Sequence, residues 1–123
     1  MGKKVGPILD EMLEAIDAIR EAISGKTFGD FERERLTRLA VQRALEIISE
    51  AARRLPEEIL TRHPQLEWRK IKAIGNVLRH EYHRISDKIV WHVAQHELDP
   101  LAAVLEAEKL RCAGDDADGA QQE

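Results

Sequence analysis

Apolar residues recur at three- and four-residue steps through most of the chain, and few segments alternate, so the pattern predicts helices throughout. Ile8, Met12, Ile16, Ile19 and Ile23 form one stripe and predict a first helix from Pro7 to Ser24. Pro7 suits a first helical turn, and Gly25 supplies the stop. Asp30 is the expected N-cap of a long second helix, Phe31 to Leu55. Its expected buried side is Leu36, Leu39, Ala40, Ala44, Ile47, Ile48 and Ala51. Arg33, Arg35, Arg38, Glu46 and Glu50 form the wet side. Pro56 and Pro64 bracket a short helical piece. Another helix is expected from Leu66 to His80. A further one is capped by Ser86, with Asp87 in its first turn and Ile89, Val90 and Val93 on its apolar side. Pro100 fits the first turn of a last helix carrying Leu101, Val104, Leu105 and Leu110. The fold class is all-α, a bundle of four to five helices with short links. Residues 1–112 make one helical domain. The small, acidic stretch "AGDDADGAQQE", residues 113–123, is expected to be a disordered tail.

Composition narrows the function classes. The chain has 123 residues, enough for one modest core. Aromatic residues are only 4%, so Leu, Ile and Ala must fill that core. No apolar run approaches the roughly 20 residues that span a bilayer, and no signal-peptide core follows Lys3 and Lys4, so a cytoplasmic protein is expected. Cys112 is the single cysteine and excludes an internal disulfide or a cysteine-rich zinc site. The net charge of −4 argues against a general nucleic-acid coat. Its distribution matters more. Between Arg62 and Arg84 lie six Lys/Arg and two Glu, whereas eight Asp/Glu and two Lys/Arg follow from Glu97 onward. The locally basic segment can attract a phosphate backbone, or it can be a solvated face of mixed charge.

The candidate chemistry sits in "IGNVLRHEYHRISDKIVW", residues 74–91. Asn76 to Arg84 hold two histidines, two arginines, an asparagine and the only tyrosine. At about 100° per residue, Ile71, Ile74, Val77 and Leu78 fall on one side, while Asn76, Arg79, His80 and His83 share a sector of about 100° on the other. Imidazole exchanges protons near neutral pH, and guanidinium holds phosphate oxygens. Together they can cleave RNA without a metal: a base activates the ribose 2′-hydroxyl, which attacks the adjacent phosphorus. Ordinary exposed polar residues on a wet helix would give the same spacing. Gly75 costs roughly 1 kcal/mol against alanine inside a helix, which either a close helix crossing or simple tolerance explains. His92 and His96 share a face, and His80 and His83 stand one residue short of a zinc-type spacing. With no third ligand in view, no metal is expected. Glycine-rich phosphate loops and nucleophile elbows are absent, so no cofactor is called for.

"NVLRHEYHRISDKIVWHVAQHELDPL" resembles the signature region of the HepT-like proteins of the HEPN superfamily. "LDEMLEAIDAIREAI", "ALEIISEAARRLPEEI" and "HPQLEWRKIKAIGN" are similar to the family's preceding segments, in the family's order, so the likeness covers about residues 8–108. The resemblance implies an antiparallel helical bundle that pairs as a homodimer, the signature helices of two subunits lining a shared cleft. It implies a metal-independent endoribonuclease acting as the toxin of a type VII toxin–antitoxin pair, with RNA as substrate. The antitoxin would be a minimal nucleotidyltransferase that transfers AMP to the tyrosine of the His-x-Tyr motif. That motif maps onto His80, Glu81 and Tyr82, making Tyr82 both a site residue and the AMP acceptor. His80 would be general base or acid, Arg79 the phosphate clamp and Asn76 a positioning group. Arg69, Lys72, His83 and Arg84 would be further RNA- or phosphate-binding residues. The chain departs from the pattern at one point. The family's arginine precedes the histidine by four to six intervening residues, and those positions here are Gly75, Ile74 and Ala73. The alternatives are therefore a catalytically weak or inactive HEPN subunit that binds a nucleotide or the antitoxin, and a plain dimerisation scaffold.

Overall fold

The computed structural model describes the backbone of residues 5–81 and 86–122 and the side chains of residues 5–80 and 86–114. All regular structure among these residues is helical. In chain order the elements are α1 (Val5–Ile23), α2 (Phe28–Arg33), α3 (Arg35–Arg53), α4 (Glu57–Arg62), α5 (Trp68–Glu81), α6 (Asp87–His92), a π-helical turn (Val93–Glu97) and α7 (Leu98–Gln122). α3 packs between α1 and α5, and α7 lies against α1. Neighbours run antiparallel. Asp10 meets Lys109 and Arg20 meets Asp99 across α1 and α7, at 2.8 and 2.6 Å. Across α3 and α5, Glu46 faces Arg79 while Arg53 reaches Lys72.

The core follows the stripe of α1. Leu9, Met12, Ile16 and Ile19 are fully buried and meet Val41, Leu45 and Ile48 of α3 and Leu105 of α7 in one cluster. α1 ends where expected, with Gly25 at φ +72°, a left-handed conformation that a Cβ would strain. Trp68 is buried and donates its indole N–H to the His63 carbonyl at 2.9 Å. Trp91 packs on Phe28 and Phe31, with ring centroids 6.3 and 5.2 Å away.

The expectations for the second helix are corrected. The second helix is two helices. Thr27, not Asp30, is the N-cap of α2: its hydroxyl accepts from the Asp30 N–H, and the Asp30 carboxylate accepts from the Thr27 N–H. That reciprocal box fixes α2 early, and the chain turns extended at Glu34 before α3 begins. Hydrogen bonds from Thr27 hold the half-buried Asp30 carboxyl below its ordinary pKa. The expected buried side of α3 holds in part: Ala44, Ile48 and Ala51 are buried and Ile47 is half-buried. Val41, Ala44, Leu45, Ile48, Ser49, Ala51 and Ala52 are its buried side. Leu36, Leu39 and Ala40, also expected inside, are exposed, Leu36 by 80%.

Pro100 sits in the first turn of the last helix, as expected, but that helix has no separate start. The helix that begins at Asp87 continues through the π turn into α7. Proline lacks an N–H for the His96 carbonyl, and its ring crowds that group; the wider π turn over Val93–Glu97 absorbs the mismatch. The backbone of α7 stays helical to Gln122, through the stretch whose composition suggests disorder. Extending an existing helix is far less costly than nucleating one.

One polar contact ties α7 to the end of α4. Glu108 is 3% exposed. Arg62 donates Nε to Oε2 and Nη2 to Oε1 at 3.1 and 2.7 Å, and His63 Nε2 lies 2.7 Å from Oε2. Arg62 chiefly holds the Glu108 carboxyl below its ordinary pKa; burial opposes this, and His63 reinforces it. A depressed carboxyl contributes stability above its unfolded pKa and loses it as pH falls through the folded value. The melting temperature is therefore expected to fall in the acid range below the ordinary Glu value. Glu108→Gln should be destabilised by about 2 kcal/mol at pH 7 and lose that part of the acid dependence. A Gln variant that melts like the wild type at pH 7 rejects this contact as a source of stability.

Candidate active site

The site is built where α3 crosses α5. Ser49 is buried in the contact, and its hydroxyl donates to the Lys72 carbonyl at 2.7 Å. The Gly75 N–H donates back to Ser49 Oγ at 3.1 Å. A Cβ on Gly75 would stand 2.7 Å from both Cβ and Oγ of Ser49 and 3.4 Å from the Glu46 Cα. Of the two explanations for this glycine, the close crossing is the one observed. Arg53 closes the same junction, with Nε and Nη2 at 3.2 and 3.0 Å from the Lys72 carbonyl.

Beside this crossing lies a groove of about 280 Å³ lined by Ser49, Glu50, Arg53, Arg54, Asn76 and Arg79. Three guanidinium groups and one carboxylate make its electrostatics predominantly cationic. Arg54 is engaged by Glu11 at 2.9 Å. Arg79 stands 4.0 Å from Glu46 Oε1, beyond hydrogen-bond range, with its side chain 52% exposed. So loose a surface pair contributes little and leaves the guanidinium able to turn toward an anion.

The polar face expected from the helical period is present. Asn76, Arg79 and His80 are all exposed on α5. Arg69, exposed, and Lys72, half-buried, fall in the same sector of about 100°, one to two turns earlier. His80 directly follows Arg79 on α5 but is not itself among the residues lining the groove. Tyr82, His83 and Arg84 lie outside the described residues. The His92 and His96 rings are 4.8 Å apart at the π turn, and among the described residues no three His, Cys, Asp or Glu converge as metal ligands. Among the described residues no helix is long and apolar enough to cross a membrane.

A model of the family described as ribonuclease HepT-like matches residues 12–108. The chain belongs to this family. A protein of Thermococcus cleftensis named "Probable ribonuclease HepT" is 33% identical over 103 residues, covering 84% of this chain and 92% of that one. "Putative RNase TTE0752" of Caldanaerobacter subterraneus subsp. tengcongensis is 32% identical over 95 residues, 77% of this chain and 85% of its own length. "Putative RNase MJ0127" of Methanocaldococcus jannaschii is 33% identical over 91 residues, 74% and 75% of the two chains. No solved structure matches.

At Gly75, one of the three positions where the resemblance calls for arginine, this HepT-like chain leaves no room for such a side chain. Gly75 faces Ser49 and the backbone at Glu46, not the groove. No side chain of arginine's size enters that contact without separating α3 from α5. The cations that do line the groove are Arg79 from the signature helix and Arg53 and Arg54 from α3. The α3 pair is not marked in the sequence. The only hint is that Arg53 and Arg54 end a helix whose apolar face is interrupted by Ser49.

Proposed function

We propose that this HepT-like protein is a metal-independent endoribonuclease and the toxin of a toxin–antitoxin pair. The observation that carries the reading is the placement of an exposed imidazole, His80, beside a groove whose walls supply three guanidinium groups. His80 takes the proton of a ribose 2′-hydroxyl, or delivers one to the leaving 5′-oxygen. The 2′-oxygen bonds to phosphorus as the bond to the 5′-oxygen breaks. Arg79 neutralises the charge that builds on the non-bridging oxygens, and Asn76 positions the backbone beside it. Arg69 and Lys72, on the same face, extend the track for the strand. In the homodimer of this reading, two signature helices line one cleft. Exposed Leu36, Leu39 and Ile89 supply apolar area that a second copy can cover. Transfer of AMP to Tyr82 by a nucleotidyltransferase antitoxin adds bulk and negative charge where phosphates approach, and so silences the enzyme.

The test is direct. Purified protein incubated with single-stranded RNA in excess EDTA is expected to cut it. The same strand carrying 2′-deoxyribose at the scissile position should stay intact. Cleavage that requires added divalent metal, or that ignores the 2′-deoxy substitution, rejects the mechanism.

A second reading keeps the groove and drops the chemistry: a subunit that binds a nucleotide or the antitoxin without cutting. Gly75, sealed against Ser49 where the family pattern has its arginine, is the observation that favours it. Binding of RNA without cleavage under the same conditions would select it.

A further inference from the structure

We infer that Arg53, on α3, is a substrate-binding residue that holds an RNA phosphate flanking the scissile one. It thereby supplies from a neighbouring helix the fixed cation that position 75 cannot carry. The inference rests on the ribonuclease reading for the identity of the ligand.

The geometry is specific to Arg53. Its Nε and Nη2 both reach the Lys72 carbonyl, at 3.2 and 3.0 Å. A guanidinium has five N–H donors in a planar fork, so this contact occupies one edge and leaves three donors for the groove. The carbonyl is well placed as an anchor because Ser49 donates to the same oxygen at 2.7 Å. Ser49 is in turn pinned by the Gly75 N–H at 3.1 Å. The missing side chain at position 75 lets Ser49 sit this close, and so brings α3 near enough for Arg53 to reach α5. Among the groove's three arginines the other two are differently engaged: Arg54 pairs with Glu11 at 2.9 Å, and Arg79 drifts 4.0 Å from Glu46. Among the described residues no carboxylate pairs with Arg53, although Glu50 lines the same groove and tempers its field. An orientation fixed in advance is what binding a phosphate requires, because little side-chain freedom is then lost on contact.

The placement also sets the register. Lys72 and His80 are eight residues apart on α5, about 12 Å along the helix axis. A phosphate held at Arg53 therefore lies a nucleotide or two along the strand from one that His80 and Arg79 attend. Arg53 should act on binding and hardly at all on the chemical step.

Two measurements on the full chain separate these effects. The first is fluorescence anisotropy with a labelled single-stranded RNA carrying 2′-O-methyl riboses throughout, which binds but lacks the nucleophile, read across a salt series. The second is single-turnover cleavage of the matching unmodified RNA in EDTA at saturating protein. Arg53→Ala is expected to weaken binding about tenfold at low salt and to flatten the log–log salt slope by about 0.7, the value for one lost phosphate on a single strand. Its cleavage rate at saturation should stay within about threefold of wild type, since the contact is remote from the reacting atoms. Arg53→Lys keeps the charge and loses the fork, so it should retain the slope while binding several-fold more weakly. Thermal melting accompanies both variants. If alanine unfolds the protein at the assay temperature, the lysine variant carries the test. Wild-type affinity and slope in the folded alanine variant, or wild-type affinity in the lysine variant, overturn the inference. A wild-type protein that binds RNA and leaves it uncut defeats the ribonuclease reading alone, and the salt slope still decides Arg53.

Discussion

His80→Ala is expected to lower metal-independent RNA cleavage by about 10²–10⁴-fold, the usual contribution of a positioned general acid or base. RNA affinity should change by less than about twofold, because the phosphate contacts come from guanidinium and ammonium groups rather than from the imidazole. The substitution is structurally mild. His80 is exposed near the end of α5, and alanine is a better helix former than histidine, so the melting temperature should hold or rise slightly. That combination makes the variant informative: a large kinetic loss without a stability loss assigns proton transfer to this ring. The measurement is the single-turnover rate in EDTA at saturating protein, paired with anisotropy on uncleavable RNA. The same substitution should abolish any growth defect that expression of the wild type causes. Cleavage at the wild-type rate by His80→Ala would remove His80 from the mechanism and move attention to the residues that follow Glu81.

How much of this was legible beforehand depends on whether a feature is local. The α1 stripe and its Gly25 stop were readable because one helical period and one left-handed residue determine them. The face holding Asn76, Arg79 and His80 was readable for the same reason, since period alone places residues on a side. The phase of α3 was readable only in part: Ala44, Ile48 and Ala51 are buried as the period predicts, whereas Leu36, Leu39 and Ala40 are exposed. Its sequence carries two apolar stripes, one through Val41, Leu45 and Ile48 and one through Leu36, Leu39 and Ile47, and only packing against α1 and α5 chooses between them. The break at Glu34 was hidden because Asp30, a good N-cap by residue type, serves instead as the third-position partner of Thr27. Pro100 marked the first turn of α7 correctly but not the continuity with α6, because the π turn ahead of it relieves the clash that ordinarily ends a helix. The α3 wall of the groove was out of reach altogether: Arg53 and Lys72 are 19 positions apart, and Ser49 and Gly75 are 26. Nothing in either segment announces the other until two antiparallel helices dock.

The second large effect concerns that docking. Gly75→Arg, which puts arginine at one of the positions where the resemblance calls for it, is expected to destabilise the fold by more than about 3 kcal/mol and to give no gain in cleavage. Gly75→Ala isolates the cause. Alanine favours the helix by roughly 1 kcal/mol over glycine. Against that, its Cβ would meet Ser49 Cβ and Oγ at 2.7 Å, so α3 and α5 must move apart. Separation strains the Gly75 N–H bond to Ser49 and the Ser49 bond to Lys72, both in the helix contact. Overpacking of this kind costs about 1–3 kcal/mol, and the disturbed buried hydroxyl about 1–3 more, so after the helix gain the net change should be destabilising by about 1–5 kcal/mol. Chemical denaturation of Gly75→Ala, Ser49→Gly and the double variant measures it. Ser49→Gly removes the atoms the new methyl would strike, so the double variant should be more stable than the sum of the single losses predicts, by at least about 1 kcal/mol. A Gly75→Ala protein more stable than wild type would mean that the crossing is loose and that the glycine is merely tolerated. In that case Arg53 would also lose the anchor that orients it, because the Lys72 carbonyl comes within its reach only while the two helices stay this close.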